Sequence, residues 1–207
     1  MNYHKHNMGL KDAKINFLID TATDLFLCRS IQDVTIKDIA MTSQVGEATI
    51  YRYFGNKQTL VVKAAMKLKS IINNTYFQVK KEMNGYEQIK TFYLSYLDIF
   101  KQHPEFYKFL NEFDAYMTGV NNDILNPYEA AIDEYKQAYM YAYQNGIKDG
   151  SIKKQEDIDV FYFSTTHALL ELGKKLSSEA VLKQDKQIAK ASELKCLIDL
   201  ILNNIKN

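Results

Sequence analysis

Residues 45–57 read VGEATIYRYFGNK and set Tyr51, Arg52, Tyr53 and Phe54 on consecutive positions. Just upstream, DVTIKDIA runs from Asp33 to Ala40, and the intervening TSQVGEA supplies polar residues and a glycine. The spacing predicts two short, closely joined helices. Thr35 can cap the first, with Asp38 three residues on as an approximate capping box, and Ile36, Ile39 and Ala40 facing inward. In the second, Val45, Ile50 and Phe54 recur at intervals that suit core contacts. A small residue, Ala40, falls where the helices would cross. This is the outline of a helix-turn-helix.

If Val45, Ile50 and Phe54 face the core, then Glu47, Ala48, Thr49, Tyr51, Arg52 and Tyr53 project outward or along the rim. Two readings fit. The tyrosines can lie flat on neighbouring apolar surface of a solvated helix. Alternatively they face a duplex, the hydroxyls of Thr49, Tyr51 and Tyr53 donating to phosphate oxygens while Arg52 forks onto a guanine edge.

Outward from this stretch the chain reads as all-helical. Ile15, Leu18, Ile19, Ala22, Leu25 and Phe26 recur at steps of three and four, which predicts a first helix from about Leu10 to Cys28. Downstream, NKQTLVVKAAMKLKSIINNTYFQVKKEMN predicts a long helix from Asn56 to about Lys80. Further helices are readable at about 86–102, 104–119, 126–148, 157–176 and 186–206. Two prolines, eight glycines and no alternating β-branched runs give strands little support. With no Pro/Gly linker in the long helix, the domain boundary is placed inside it, near Ala65 to Ser70. The expected domains are 1–68, binding DNA, and 69–207, a larger helical domain for ligand binding and dimerisation.

Composition narrows the function. The chain has 207 residues, 46% of them apolar, enough for a substantial core. Cys28 and Cys196 form no CxxC pair and have no histidine at ligand spacing, so both read as reduced, buried structural thiols. The start, MNYHKHNMGLKDAK, lacks a signal-peptide apolar stretch, and no segment approaches the ~20 apolar residues that span a bilayer. A cytoplasmic protein without a membrane partner is expected. Net charge is +1, but residues 1–70 hold ten Lys/Arg against six Asp/Glu while the remainder holds 16 against 19. That asymmetry is a weak pointer to nucleic acid. No catalytic residue, metal or cofactor is expected: neither His103 nor His167 has a glutamate three residues before it, and there is no phosphate-cradling glycine loop or nucleophile elbow.

The stretch TIKDIAMTSQVGEATIYRYFGNKQTLVVKAAMKL resembles the N-terminal helix-turn-helix of TetR-type transcriptional regulators. Thr35, Ile39, Ala40, Val45, Thr49, Tyr51, Tyr53, Phe54, Lys57 and Leu60 fall on that pattern. Two departures stand out: Ser43-Gln44 replaces the usual Ala-Gly, and Gly46 the usual Ser. Gln44 must then take a turn conformation that glycine enters more easily, and Gly46 must cap less well than Ser. The resemblance implies that Thr35, Lys37, Thr49, Tyr53 and Lys57 hold the phosphates. It leaves base reading to Glu47, Ala48, Tyr51 and Arg52. Glu47 can equally complement the helix dipole.

Of the 26 Phe and Tyr residues, 20 lie beyond residue 70. Tyr93, Tyr96, Phe100, Phe109, Phe113, Tyr116, Tyr135, Tyr139 and Phe163 could line a cavity for a planar or bulky apolar ligand, or simply fill the core. Glu112 and Asp114 flank Phe113, and an acid among rings favours a cationic ligand if it is not merely solvated. FKQHPEFYKFL and NGIKDGSI also resemble the C-terminal domain of TetR-type regulators. Ile188, Ala191, Leu194, Leu197, Ile198, Ile201, Leu202 and Ile205 cover a broad arc of the last helix, and DVFYFSTTHALLELGKKL lacks charge between Val160 and Leu170. In the family such helices form a four-helix dimer interface, which implies a homodimer through residues 157–206 on two-fold DNA. His167 reads as an interface or core residue first and a ligand contact second. The function expected is a regulator, a repressor released from operator DNA by a small bulky aromatic or cationic effector. The alternative is a regulator controlled by a protein partner or left constitutive.

Overall fold

Capping and turn conformation decide where the first short helices begin and end. The computed structural model describes residues 3–76, 82–120, 122–178, 185 and 187–207. Helix α1 spans Tyr3–Cys28, beginning seven residues before the expected Leu10, and α2 spans Ile36–Ser43. At α2 the expected capping box is complete: the Asp38 amide donates to the Thr35 hydroxyl, and the Thr35 amide donates to the Asp38 carboxylate at 2.8 Å. Gln44 ends the helix in the left-handed region at φ 56°, the turn cost anticipated for a non-glycine residue. Helix α3 (Glu47–Phe54) starts at Gly46, which has no side chain to cap it, and ends at Gly55, whose φ of 74° suits glycine.

Helix α4 covers Lys57–Tyr76, and the expected continuation to Lys80 lies outside the described residues. Asn56 precedes it as a cap, its carboxamide oxygen accepting from the Thr59 amide at 2.8 Å. The remaining helices are α5 (Gly85–Gln102), α6 (Pro104–Met117), α7 (Asn122–Asp149), α8 (Ile158–Ser177) and α9 (Lys190–Ile205). Pro104 opens α6 as expected. Helix α7 begins four residues before the expected 126, with Pro127 inside it. As the sixth residue of the helix, Pro127 removes the amide that would otherwise donate to the Asp123 carbonyl, a loss confined to the second turn. Among the described residues the chain is all-α, with an isolated bridge between Ile152 and Lys206.

The chain divides into two compact units. One contains residues through Ser70 together with Phe109–Tyr128, and the other contains Ile71–Lys108 with Glu129–Asn207. This division differs from a split into 1–68 and 69–207 mainly in giving 109–128 to the first unit. In that unit α1 packs on α2 and α2 on α3. Leu18, Ala22, Phe26, Ile31, Val34, Ile39, Ile50, Leu60 and Val61 are buried there with Phe109 and Phe113. Burying each large aliphatic or aromatic chain contributes about 1.5–3 kcal/mol.

In the second unit α5 packs on α8 and α9, which also pack on each other. Leu194, Ile198, Ile201, Leu202 and Ile205 of α9 are buried in the unit's own core. Most of the broad apolar arc expected on α9 therefore serves the chain's own packing, but Ile188 lies before the helix and is exposed, and Leu200 on the outward face of α9 is 63% exposed. Cys28 and Cys196, expected to be buried, are both exposed, because each lies on the outer side of its helix. Two close approaches fix helix positions. A Cβ on Gly85 would lie 2.1 Å from the Gly146 nitrogen, and one on Gly173 would lie 2.3 Å from the Tyr107 ring.

Candidate nucleic-acid interface

Helices α2 and α3 turn one face inward and leave the other open. Val45, Ile50 and Phe54 are buried, Ile36 and Ile39 with them, and Ala40 is half-buried. Opposite that core, Lys37, Glu47, Ala48, Tyr51 and Arg52 are exposed, while Thr49 and Tyr53 are half-buried. Tyr51 keeps 48% of its surface in solvent, so its ring is not folded onto the unit. The Arg52 guanidinium lies over the Tyr53 ring at 5.3 Å, and that ring meets Phe54 edge-on at 6.5 Å. Stacking of this kind limits the arginine's rotamers while leaving its donors outward. The surface can donate to phosphates and fork onto a base edge.

Two residues of the implied phosphate set have other engagements. The Thr35 hydroxyl accepts from the Asp38 amide and donates to the Asp38 carboxylate at 2.7 Å, which together with the Thr35 amide holds that carboxyl below its ordinary range. Lys57 turns inward. Its ammonium donates to the Gln32 carbonyl at 3.3 Å and sits 4.9 Å from the centre of the Tyr116 ring. Burial lowers its pKa, with Asp33 and Asp38 pulling the other way.

The eleven residues considered for a ligand are divided between the units. Phe109, Glu112, Phe113 and Tyr116 belong to the first, where the Glu112 carboxylate accepts the Ile31 amide at 2.5 Å. Phe113 there packs between Phe109 and Tyr128 at 6.0 and 5.0 Å. The other seven lie in the second unit. Tyr93, Tyr96 and Tyr139 are buried, Phe100 and Tyr135 half-buried, and Phe163 and His167 exposed, their rings 5.6 Å apart. His167 thus lies outside the unit's core.

Sequence reading missed Phe92, Tyr162 and Thr165, which complete the buried cluster. The Phe92 ring stands 5.3, 5.6 and 5.1 Å from those of Tyr93, Tyr96 and Tyr139, and Tyr139 is 4.9 Å from Tyr162. The helical spacing of Phe92 with Tyr96, and of Tyr162 with Thr165, was the available signal. A hydroxyl chain runs through the rings: Tyr139 to Tyr93 at 3.0 Å and Tyr93 to Thr165 at 2.7 Å. Each hydroxyl has one proton, and Thr165 gives its own to the Phe161 carbonyl. Tyr93 must then donate to Thr165, and Tyr139 to Tyr93. Burial pushes Tyr93 up to about 12 and raises Tyr139 further.

Two short, closely joined helices with an open Tyr-Arg face have the form of a helix-turn-helix. Residues 18–64 match the family model described as bacterial regulatory proteins, tetR family. No curated protein matches the sequence. Among solved structures, the fold is similar to a Saccharomonospora viridis protein described as a transcriptional regulator, in complex with choline. That pair shares 20% identity over 95% of this chain and 99% of the other, with a TM-score of 0.75. It is also similar to the transcriptional regulator FadR from Bacillus subtilis in complex with stearoyl-CoA, at 16% identity, 92% and 99% coverage and a TM-score of 0.69. The ketosteroid transcriptional regulator KstR2 of Mycobacterium tuberculosis follows at 14% identity, 92% and 93% coverage and 0.63. Identities this low speak to the fold. No helix among the described residues is long and apolar enough to cross a membrane.

Proposed function

We propose that the chain is a cytoplasmic, homodimeric repressor that binds operator DNA through α2 and α3 and is released by a small-molecule effector. The observation that carries the DNA contact is the open face of Tyr51 and Arg52 opposite the buried Val45, Ile50 and Phe54. Arg52 reads a base, with Glu47, Ala48 and Tyr51 around it, and Lys37, Thr49 and Tyr53 hold the backbone. Thr35 contributes by fixing the start of α2.

Dimerisation runs through residues 157–206. Val160 on α8 and Leu200 on α9 stand 60% and 63% exposed, apolar side chains that a second copy would cover. A two-fold dimer matches the symmetry that paired half-sites require.

The effector site lies in the second unit, at Tyr93, Tyr96, Tyr139 and Phe163, and the effector is a bulky aromatic or cationic molecule. Clustered rings with inward hydroxyls suit a cation through their quadrupoles, and the choline and stearoyl-CoA complexes of the similar folds are consistent with a ligand in such a domain. One observation favours a second reading. The rings fill the space among themselves and close their hydroxyl chain on the Phe161 carbonyl, which suits a regulator controlled by a protein partner instead. Selecting duplexes from a random-sequence library with the purified protein, then titrating quaternary ammonium and aromatic compounds against the selected complex, tests both parts. Failure to enrich any sequence would refute operator binding. Enrichment without release by any compound would favour the second reading.

A further inference from the structure

The loop from Arg29 to Val34 enters α2, so whatever fixes that loop fixes the orientation of the DNA-facing helices. Three anchors meet on it. Arg29 pairs with Asp38 of the α2 cap at 3.7 Å. The amide of fully buried Ile31 donates to the Glu112 carboxylate, 81 residues away in sequence. At the next residue, the Gln32 carbonyl accepts from the Lys57 ammonium, which the Tyr116 ring covers.

Glu112 and Tyr116 both come from residues 109–117, which belong to the first unit. That stretch is itself held firmly. Phe109, Leu110, Phe113 and Met117 are buried, leaving Glu112 and Tyr116 half-buried beside them. A carboxylate on a buried amide is a directional, charge-assisted contact, and losing it would leave that amide without an acceptor. Lys57, aligned with a phosphate-holding position in the resemblance, is bonded to the same loop instead.

We propose that Glu112 and Tyr116 are positioning residues for DNA binding: Glu112 holds the Ile31 amide, Tyr116 holds Lys57 against Gln32, and together they set the entry of α2. The proposal rests on the reading of α2 and α3 as the DNA-contacting pair. Neither side chain neutralises a phosphate, so their loss should weaken DNA binding without changing its salt dependence. A lost phosphate contact lowers the slope of log affinity against log salt by ~0.9. The two kinds of role are therefore separable in one titration.

The test uses the full-length protein, a duplex recovered from a random-sequence library by the wild type, and unselected duplex. Affinity is read by fluorescence anisotropy across a salt series, with thermal melting to report the folded fraction. Glu112→Ala should bind the selected duplex about tenfold more weakly, equivalent to ~1.4 kcal/mol, with an unchanged salt slope. Glu112→Gln keeps an acceptor oxygen for the Ile31 amide and should recover most of that loss. Tyr116→Leu should weaken binding in the same direction, again at constant slope. Wild-type affinity in folded Glu112→Ala and Tyr116→Leu would overturn the proposal. So would a Glu112→Gln variant no better than Glu112→Ala, or a slope lowered by either loss. If the wild type itself binds neither duplex, the DNA-binding reading fails before these residues are reached.

Discussion

Lys37 and Lys57 were grouped by resemblance as phosphate contacts, and the structure sets them in different surroundings. Lys37 is exposed on α2, whereas the Lys57 ammonium is 3.3 Å from the Gln32 carbonyl and 4.9 Å from the Tyr116 ring centre. Replacing each with alanine should separate the roles. If Lys37 neutralises one phosphate per protomer, its loss lowers the salt slope by ~0.9, or ~1.8 for a dimer on both half-sites. Between about 50 and 200 mM salt, that means the wild type loses roughly 12-fold more affinity than Lys37→Ala does. Lys57→Ala should keep the wild-type slope while costing about 1 kcal/mol of stability, because it removes a cation–ring contact and a hydrogen bond from a half-buried site. Anisotropy titrations at four or more salt concentrations, paired with urea melts, give both numbers. If Lys57→Ala lowers the slope as much as Lys37→Ala, its ammonium moves onto phosphate in the complex and the reasoning is refuted.

Arg52→Ala should cost roughly 1–3 kcal/mol on a selected duplex and flatten the preference at one base position, read by repeating the selection with the variant. Leu200→Asp, on the outward face of α9, should leave helicity intact and shift sedimentation to the monomer. Ile198→Asp, at a fully buried site, should abolish folding instead; identical behaviour of the two would contradict the assignment of faces. Gly173→Ala drives a methyl into the buried Tyr107 ring, whose hydroxyl donates to the Tyr96 carbonyl at 2.9 Å. It should destabilise by about 1–3 kcal/mol in urea. Tyr93, raised from 10.0 to about 12 by burial, holds its proton more tightly when folded. Its contribution is complete below about pH 10 and is lost as pH rises toward 12, up to about 3 kcal/mol. Tyr93→Phe should flatten the fall in stability over that range.

What was legible in the sequence followed from local chemistry. Thr35 and Asp38 carry their capping box in their own spacing, Pro104 marks the start of α6, and the strained Gln44 and uncapped Gly46 were readable as departures from a pattern. Periodicity also placed Val45, Ile50 and Phe54 in the core. It could not divide the aromatics between units, because Tyr93 and Tyr116 look alike in sequence and differ only in tertiary neighbours. Nor could it say which apolar partners α9 would meet: Ile198 and Ile201 suit an intrachain core as well as a subunit interface. Glu112 beside Phe113 resembled a ligand acid, yet its carboxylate accepts the Ile31 amide, a pairing across 81 residues that no local pattern encodes.

The most direct measurement is the affinity of the wild type and of Arg52→Ala for a duplex selected from a random-sequence library, each compared with unselected duplex at one salt concentration. The wild type should prefer the selected duplex by about a thousandfold or more, within the usual range for specific regulators, and Arg52→Ala should lose roughly 10- to 100-fold of that preference while keeping its affinity for unselected DNA. Equal affinity of the wild type for both duplexes, or a preference untouched by removing Arg52, would contradict the assignment of the Tyr51–Arg52 face to operator recognition.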